Sequence, residues 1–214
     1  MSKTILYYVH DPMCSWCWGF RPTWTAIQNR LPQDIEVRYV VGGLAPDNDQ
    51  PMDAEMQEML QGAWRKIEGM LGTSFNFEFW TRCQPRRSTY PSCRAVIAAD
   101  RQDKGGEMLF AIQRAYFLRA LNPSDTQTHR QLAQELGLDV AQFEADLKSA
   151  ETEAELMRQI QLAQELTDHG FPSLVLEVDG KSQYFHHDYL DADVSLNKIE
   201  KIRAEFSAAK QKAG

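Results

Sequence analysis

Apolar and polar positions follow three rhythms along the chain. Thr4-Ile5-Leu6-Tyr7-Tyr8-Val9 is an unbroken run of β-branched, aromatic and aliphatic side chains, which predicts a short buried strand. His10-Asp11-Pro12-Met13 interrupts it. Phe20, Trp24, Ile27 and Leu31 then recur at three- and four-residue intervals, one face of a helix that Pro32 closes. Ile35, Val37, Tyr39 and Val41 alternate with Glu36, Arg38 and Val40, a second strand ended by Gly42-Gly43.

From Ala45 to Gly170 the rhythm is helical throughout. Met56, Met59, Leu60, Ala63, Trp64, Ile67, Met70 and Leu71 form one apolar face with Gly72 as C-cap, and the three methionines are expected in the core. Pro91 opens a helix through Ala99. Residues 105–121 form another, apolar on most sides, at the centre of a bundle. Pro123 starts a segment ended by Gly137, and Asp139 caps the next. Thr152 with Glu155 fits a capping box before Leu156, Ile160 and Leu166. Strand character returns at 173–178, where Asp179-Gly180 signals a type I′ hairpin with 181–185. Leu196, Ile199 and Phe206 mark a last helix, with Asp191 or Asp193 near its cap and a frayed tail from Ala208. The chain therefore divides into 1–44 (strand, helix, strand), an all-helical insertion at 45–150, and 151–214 (helix, hairpin, helix). Two strands joined through a helix lie parallel, whereas the hairpin is antiparallel, so the predicted sheet is mixed and the class is α/β.

Composition narrows the function. The 214 residues carry 23 Lys and Arg against 30 Asp and Glu, net −7, which argues against nucleic acid as a partner. No apolar run approaches the roughly 18 residues of a membrane span. Ile5 to Val9 is also too short for a signal peptide core, so a cytoplasmic protein is expected.

Four cysteines, at 14, 17, 83 and 93, are too few for a disulfide scaffold. Cys14-Ser15-Trp16-Cys17 stands where the first strand turns into a helix. There the unpaired amides and the helix dipole favour a thiolate. Two intervening residues bring Cys17 back within bonding distance, so Cys14 can attack a disulfide and Cys17 can resolve the mixed disulfide. A zinc half-site is the competing reading, but Cys83 and Cys93 lack the spacing of a second close pair, and no metal is expected. Cys83 and Cys93 are either a second redox pair or structural thiols. Arg86, Arg87, Ser88 and Thr89 between them are candidate substrate or glutathione contacts, or a solvated loop. Ser15 and Trp16 are candidate substrate contacts, Trp16 as an apolar landing surface, whereas Trp18 reads as a packing residue. His10 either tunes Cys14 or fills a strand end. His186-His187-Asp188 reads as a surface turn whose adjacent imidazoles point to opposite faces.

Asp11-Pro12-Met13-Cys14-Ser15-Trp16-Cys17-Trp18-Gly19, the helical insertion and the late Gly170-Phe171-Pro172-Ser173 together resemble the DsbA-like branch of the thioredoxin superfamily. More narrowly, the chain is similar to FrnE-type predicted disulfide isomerases over nearly its whole length. The resemblance implies a thioredoxin-like fold, a cis-proline at Pro172 beside the active-site pair, and backbone groups at Phe171 offered to an extended substrate. Pro22 matches a helix-kinking proline. A thiol or disulfide substrate, protein or glutathione, is implied, and the disulfide itself carries the electrons, so no cofactor is expected beyond glutathione as a candidate reductant. DsbA has Pro-His where this chain has Ser15-Trp16, so strong oxidising power is not implied. Two alternatives stand: a glutathione-dependent isomerase or transferase of the hydroxychromene-carboxylate isomerase or kappa type, whose members have serine at the Cys14 position, and a non-catalytic binding module.

Overall fold

β1 (Thr4–His10) has all seven residues buried, because it has a partner strand on each edge and a helical layer on each face. It pairs in parallel with β2 (Ile35–Val41) and antiparallel with β3 (Ser173–Val178), which in turn pairs antiparallel with β4 (Lys181–Phe185). The mixed sheet has the order β2-β1-β3-β4. The computed structural model describes residues 3–213.

Alternation along β1 separates two cores. Leu6 and Tyr8 face α1 (Ser15–Gln28), meeting Phe20, Trp24 and Ile27. Ile5, Tyr7 and Val9 face α8 (Ala150–Leu166), meeting Ala163. α9 (Ala192–Ala213) adds Ile199 and Ile202 to the first core. It runs past the fraying expected at Ala208, and Asp191 accepts from the Asp193 amide at its start. Asp179 and Gly180 both take positive φ, 51° and 81°, as the hairpin turn requires.

Six helices lie between β2 and α8: α2 (Ala54–Leu71), α3 (Phe79–Arg82), α4 (Tyr90–Asp100), α5 (Gly105–Phe117), α6 (Thr126–Glu135) and α7 (Val140–Leu147). α3, a single turn, has no periodicity to announce it. Pro51 and Arg86 also form an isolated antiparallel bridge that the helical pattern hides. α4 and α5 pack into the sheet's first core through Cys93, Ala95, Met108 and Ile112. A third cluster gathers Trp64, Phe79, Tyr116 and Phe117, with Met13 and Trp18 packed against it.

Two expectations need correction. The N-cap of α8 is Ser149, whose side chain accepts from the Thr152 amide at 3.1 Å. Glu155 instead bonds Arg158 and Gln159 on the outer face, so the capping pattern began one turn earlier. On α2 only Trp64 and Ile67 are buried, while Met59 and Met70 stand 55% and 56% exposed. The helix lies on the outside of the fold, so one narrow stripe meets the core. Trp64→Ala is expected to cost about 3–5 kcal/mol, and Met59→Ala or Met70→Ala no more than about 0.5 kcal/mol, by urea denaturation. Equal losses would mean the helix is buried differently.

Candidate active site

Cys14 is the N-cap of α1 and takes an extended conformation. Its amide donates to the Asp11 carbonyl and its own carbonyl accepts from Trp18, both at 3.1 Å. The helix thus starts immediately after the thiol and presents its first amides to it. Cys14 keeps 7% of its surface exposed and Cys17 none, so a partner sulfur reaches Cys14 first. Burial, and after it the neighbouring Cys14 thiol, raise the Cys17 thiol well above its ordinary range. Both are free thiols.

Opposite Cys14 stands the loop before β3. The Phe171–Pro172 peptide is cis, and the Cys14 thiol donates to the Phe171 carbonyl at 3.5 Å. The Phe171 ring lies over Gly42: a Cβ there would fall 1.9 Å from Cζ, so only glycine leaves room. Gly43, at φ 62°, completes the turn out of β2.

Asp11 organises the floor. Its carboxylate has no exposed surface. It accepts from the Met13 and Leu44 amides at 2.8 Å, from the Thr89 hydroxyl at 2.7 Å, and from the Cys93 thiol at 3.7 Å. Burial pushes its pKa up, and these donors oppose the shift. Thr89 also accepts from the Ala45 amide. In the sequence Asp11 reads only as part of a strand break, and a carboxylate three residues before the cysteine pair is the signal it offers.

Aromatic rings wall the site. Trp16 is half-buried, edge-on to Tyr189 at 5.3 Å, with the Lys66 ammonium 5.8 Å from its ring. Trp18 stacks on Phe117 at 5.7 Å and donates to the Ser74 carbonyl, a packing role. His10 lies fully buried between Tyr8 and Tyr39, with neither ring nitrogen hydrogen-bonded. Burial, then the Arg21 charge, push its pKa down to about 3. Ser15 is buried at the first turn of α1.

The remaining candidates do not converge on Cys14. Cys93 is sealed on the buried face of α4 against Asp11, whereas the half-buried Cys83 donates to the Ala120 carbonyl at 3.1 Å in the other cluster. Both are free, held apart because α3 and α4 face different cores. Arg86 pairs with Asp125 and donates to the Ser124 carbonyl, Arg87 donates to the Met56 sulfur, and Ser88 is buried, its hydroxyl accepting from the Asn48 amide. Of that loop, Thr89 alone touches the site's framework. His186 and Asp188 are exposed as expected, but His187 turns inward onto Phe20 and Tyr189, at 4.4 and 5.0 Å. Among the described residues no three His, Cys, Asp or Glu side chains are placed to hold a metal ion, and no helix is long and apolar enough to cross a membrane.

Comparisons with known proteins bear on the family and the fold. A family model described as Thioredoxin matches residues 7–188. A Nitrosomonas europaea structure proposed to be a protein disulfide isomerase superposes with TM-score 0.78 and 26% identity over 99% of this chain and 100% of that one. The cytosolic disulfide reductase DsbM of Pseudomonas aeruginosa gives TM-score 0.72 and 26% identity, covering 97% and 98%. Its complex with GSH superposes at 0.71. Among curated sequences, the ClpXP adapter protein SpxH of Halalkalibacterium halodurans is 28% identical over 79% of this chain. The Bacillus subtilis SpxH is 25% identical over the same share. The match spans only 57% and 56% of those relatives' lengths.

The buried imidazole of His10 makes stability pH-dependent with a definite sign. Its folded pKa lies below the ordinary 6.5, so its contribution is intact above about pH 6.5 and is lost as pH falls toward 3. Between pH 7.5 and 5 the wild type is expected to lose about 2 kcal/mol more than His10→Phe, which keeps the ring stack without the titration. Urea titrations of both proteins at the two pH values measure this, and parallel losses would refute it.

Proposed function

The chain belongs to the thioredoxin family, and from that premise we propose that it is a thiol–disulfide oxidoreductase working as a reductase or isomerase through Cys14 and Cys17. The observation that carries the reading is the position of the Cys14 thiol. It stands at the start of a 14-residue helix, still accessible, 3.5 Å from the Phe171 carbonyl, with Cys17 sealed behind it.

The chemistry follows from those positions. The Cys14 thiolate attacks one sulfur of a substrate disulfide, the distal sulfur leaves as a thiolate, and Cys14 is joined to the substrate. Cys17 then surrenders its proton and attacks Cys14, releasing the second substrate thiolate and closing the Cys14–Cys17 disulfide. Burial makes Cys17 a poor thiolate at rest, which suits a group called on only after the mixed disulfide has formed. Backbone groups at Phe171 and the cis Pro172 would align an extended substrate segment beside Cys14, with Trp16 and the neighbouring Ser15 turn as its contact surface. Reduction by a small thiol such as glutathione returns the pair to the dithiol. Ser15-Trp16 supplies no imidazole between the cysteines, which favours reductive or isomerising work over strong oxidation.

A second reading is a non-catalytic adapter, favoured by the SpxH relatives. It makes no use of a resolving cysteine, and that separates the two. Cys17→Ala is expected to accumulate mixed disulfides at Cys14, visible on non-reducing gels and by mass spectrometry, while Cys14→Ala accumulates few or none. Equal trapping by both variants would remove the assigned roles, and trapping by neither would favour the adapter.

A further inference from the structure

Arg21 is a charge without a counter-charge. Arginines of comparable burial meet carboxylates: Arg86 with Asp125, Arg94 with Asp47 and Glu153, Arg101 with Asp146, Arg119 with Glu135. Among the described residues the half-buried Arg21 guanidinium has no ion-pair or hydrogen-bond partner. Its Cζ lies 4.0 Å from the centre of the Phe110 ring, and its nearest electrostatic neighbours are the phenols of Tyr39 and Tyr8. Arg114, exposed on α5, sets a second guanidinium 5.7 Å from the same ring. Its field reaches Glu135, but Arg119 already holds that carboxylate through two bonds of 2.7 Å. Two guanidiniums thus flank one aromatic ring, and the partly desolvated Arg21 lacks the counter-charge that an anion would supply.

The place of this pair ties it to the thiol. Seven residues separate Arg21 from Cys14, which on a helix returns to within roughly 20° of the same direction about 10.5 Å along the axis. The side chain leans back toward the helix start, and its charge is felt at His10, at the end of β1. Trp18, next to Cys17, stacks over Phe110 at 6.3 Å. The guanidinium pair thus lies between α1 and the insertion, on the flank that carries Cys14. A glutathione-class tripeptide carries its thiol on the central residue, so its sulfur and a terminal carboxylate stand at most roughly 7 Å apart, and the Arg21 side chain, leaning toward the helix start, spans the rest of the way to Cys14.

We propose that Arg21 and Arg114, floored by Phe110, form the carboxylate subsite for a small anionic thiol of the glutathione class. The proposal rests on the oxidoreductase reading. The anionic thiolate attacks Cys14 of the Cys14–Cys17 disulfide, so Cys17 leaves as a thiolate and takes up a proton. A second thiolate attacks the small thiol's sulfur in the mixed disulfide, so Cys14 leaves reduced and the two small thiols depart as one disulfide. Arg21 and Arg114 transfer no electrons in either step. They are positioning residues that select the reductant.

The test compares reduction of the Cys14–Cys17 disulfide by glutathione with reduction by β-mercaptoethanol, which has no carboxylate. Stopped-flow tryptophan fluorescence follows both in the wild type, Arg21→Met and Arg114→Gln. The ratio of the glutathione to the β-mercaptoethanol rate is expected to fall roughly tenfold or more in Arg21→Met and less in Arg114→Gln, the scale of a charge-assisted contact. A ratio that stays constant overturns the proposal, whether the two rates hold or fall together. Calorimetry with S-methylglutathione, which cannot exchange, keeps the subsite separate from the chemistry. Binding weakened by Arg21→Met supports the subsite even if no thiol reduces the wild-type protein, a result that would sink the oxidoreductase reading alone. Equal binding by wild type and variant sinks the subsite.

Discussion

The carboxyl group of Asp11 is tied to its own loop and to two stretches of chain that are remote in sequence, and the candidate site takes its shape from that knot. A carboxylate removed from water is costly unless donors surround it. Here they come from Met13 in its own loop, from Leu44 beyond β2, and from Thr89 and Cys93 in the insertion. The same residue's carbonyl receives the Cys14 amide, so the position of Cys14 is set by a residue that also fixes the insertion. A buried acceptor with fewer donors would be expensive, which makes the arrangement specific: the loops must sit where they do for the charge to be tolerated.

The insertion is consequently part of the site. Thr89 and Cys93 close the floor, Phe110 and Phe117 wall the flank of α1 behind Trp18, and Lys66 from α2 lies over Trp16. The thiol pair and the Phe171 carbonyl opposite it belong to the sheet and its flanking helix, and much of the wall around them comes from the helices between β2 and α8.

Much of the fold was legible because its determinants are local. Apolar runs marked β1 and β3, alternation marked β2, and Asp179-Gly180 supplied the two positive φ values of the hairpin turn. Helix faces were legible as periodicity, but how deeply each face is buried was not. Met59 and Met70 carry the periodicity of a core stripe and stand exposed, because α2 lies against the rest of the fold along one narrow line. The cap of α8 shifted from Thr152 to Ser149 for a similar reason. Several hydroxyl and acidic residues near a helix start satisfy the same pattern, and the chain's path into the helix selects among them.

The Cys-x-x-Cys pair at the entry of α1 was determined by the sequence alone, since its spacing and its place between strand and helix depend on bonding within a few residues. What surrounds it was not. Phe171 meets Cys14 across 157 positions, Thr89 meets Asp11 across 78, and Cys83 and Cys93, ten positions apart, face different cores. Separation along the chain carries no information about such contacts. They exist only once β1 has taken a partner on each edge and the helical insertion has closed over α1, and that closure is a property of the packed molecule.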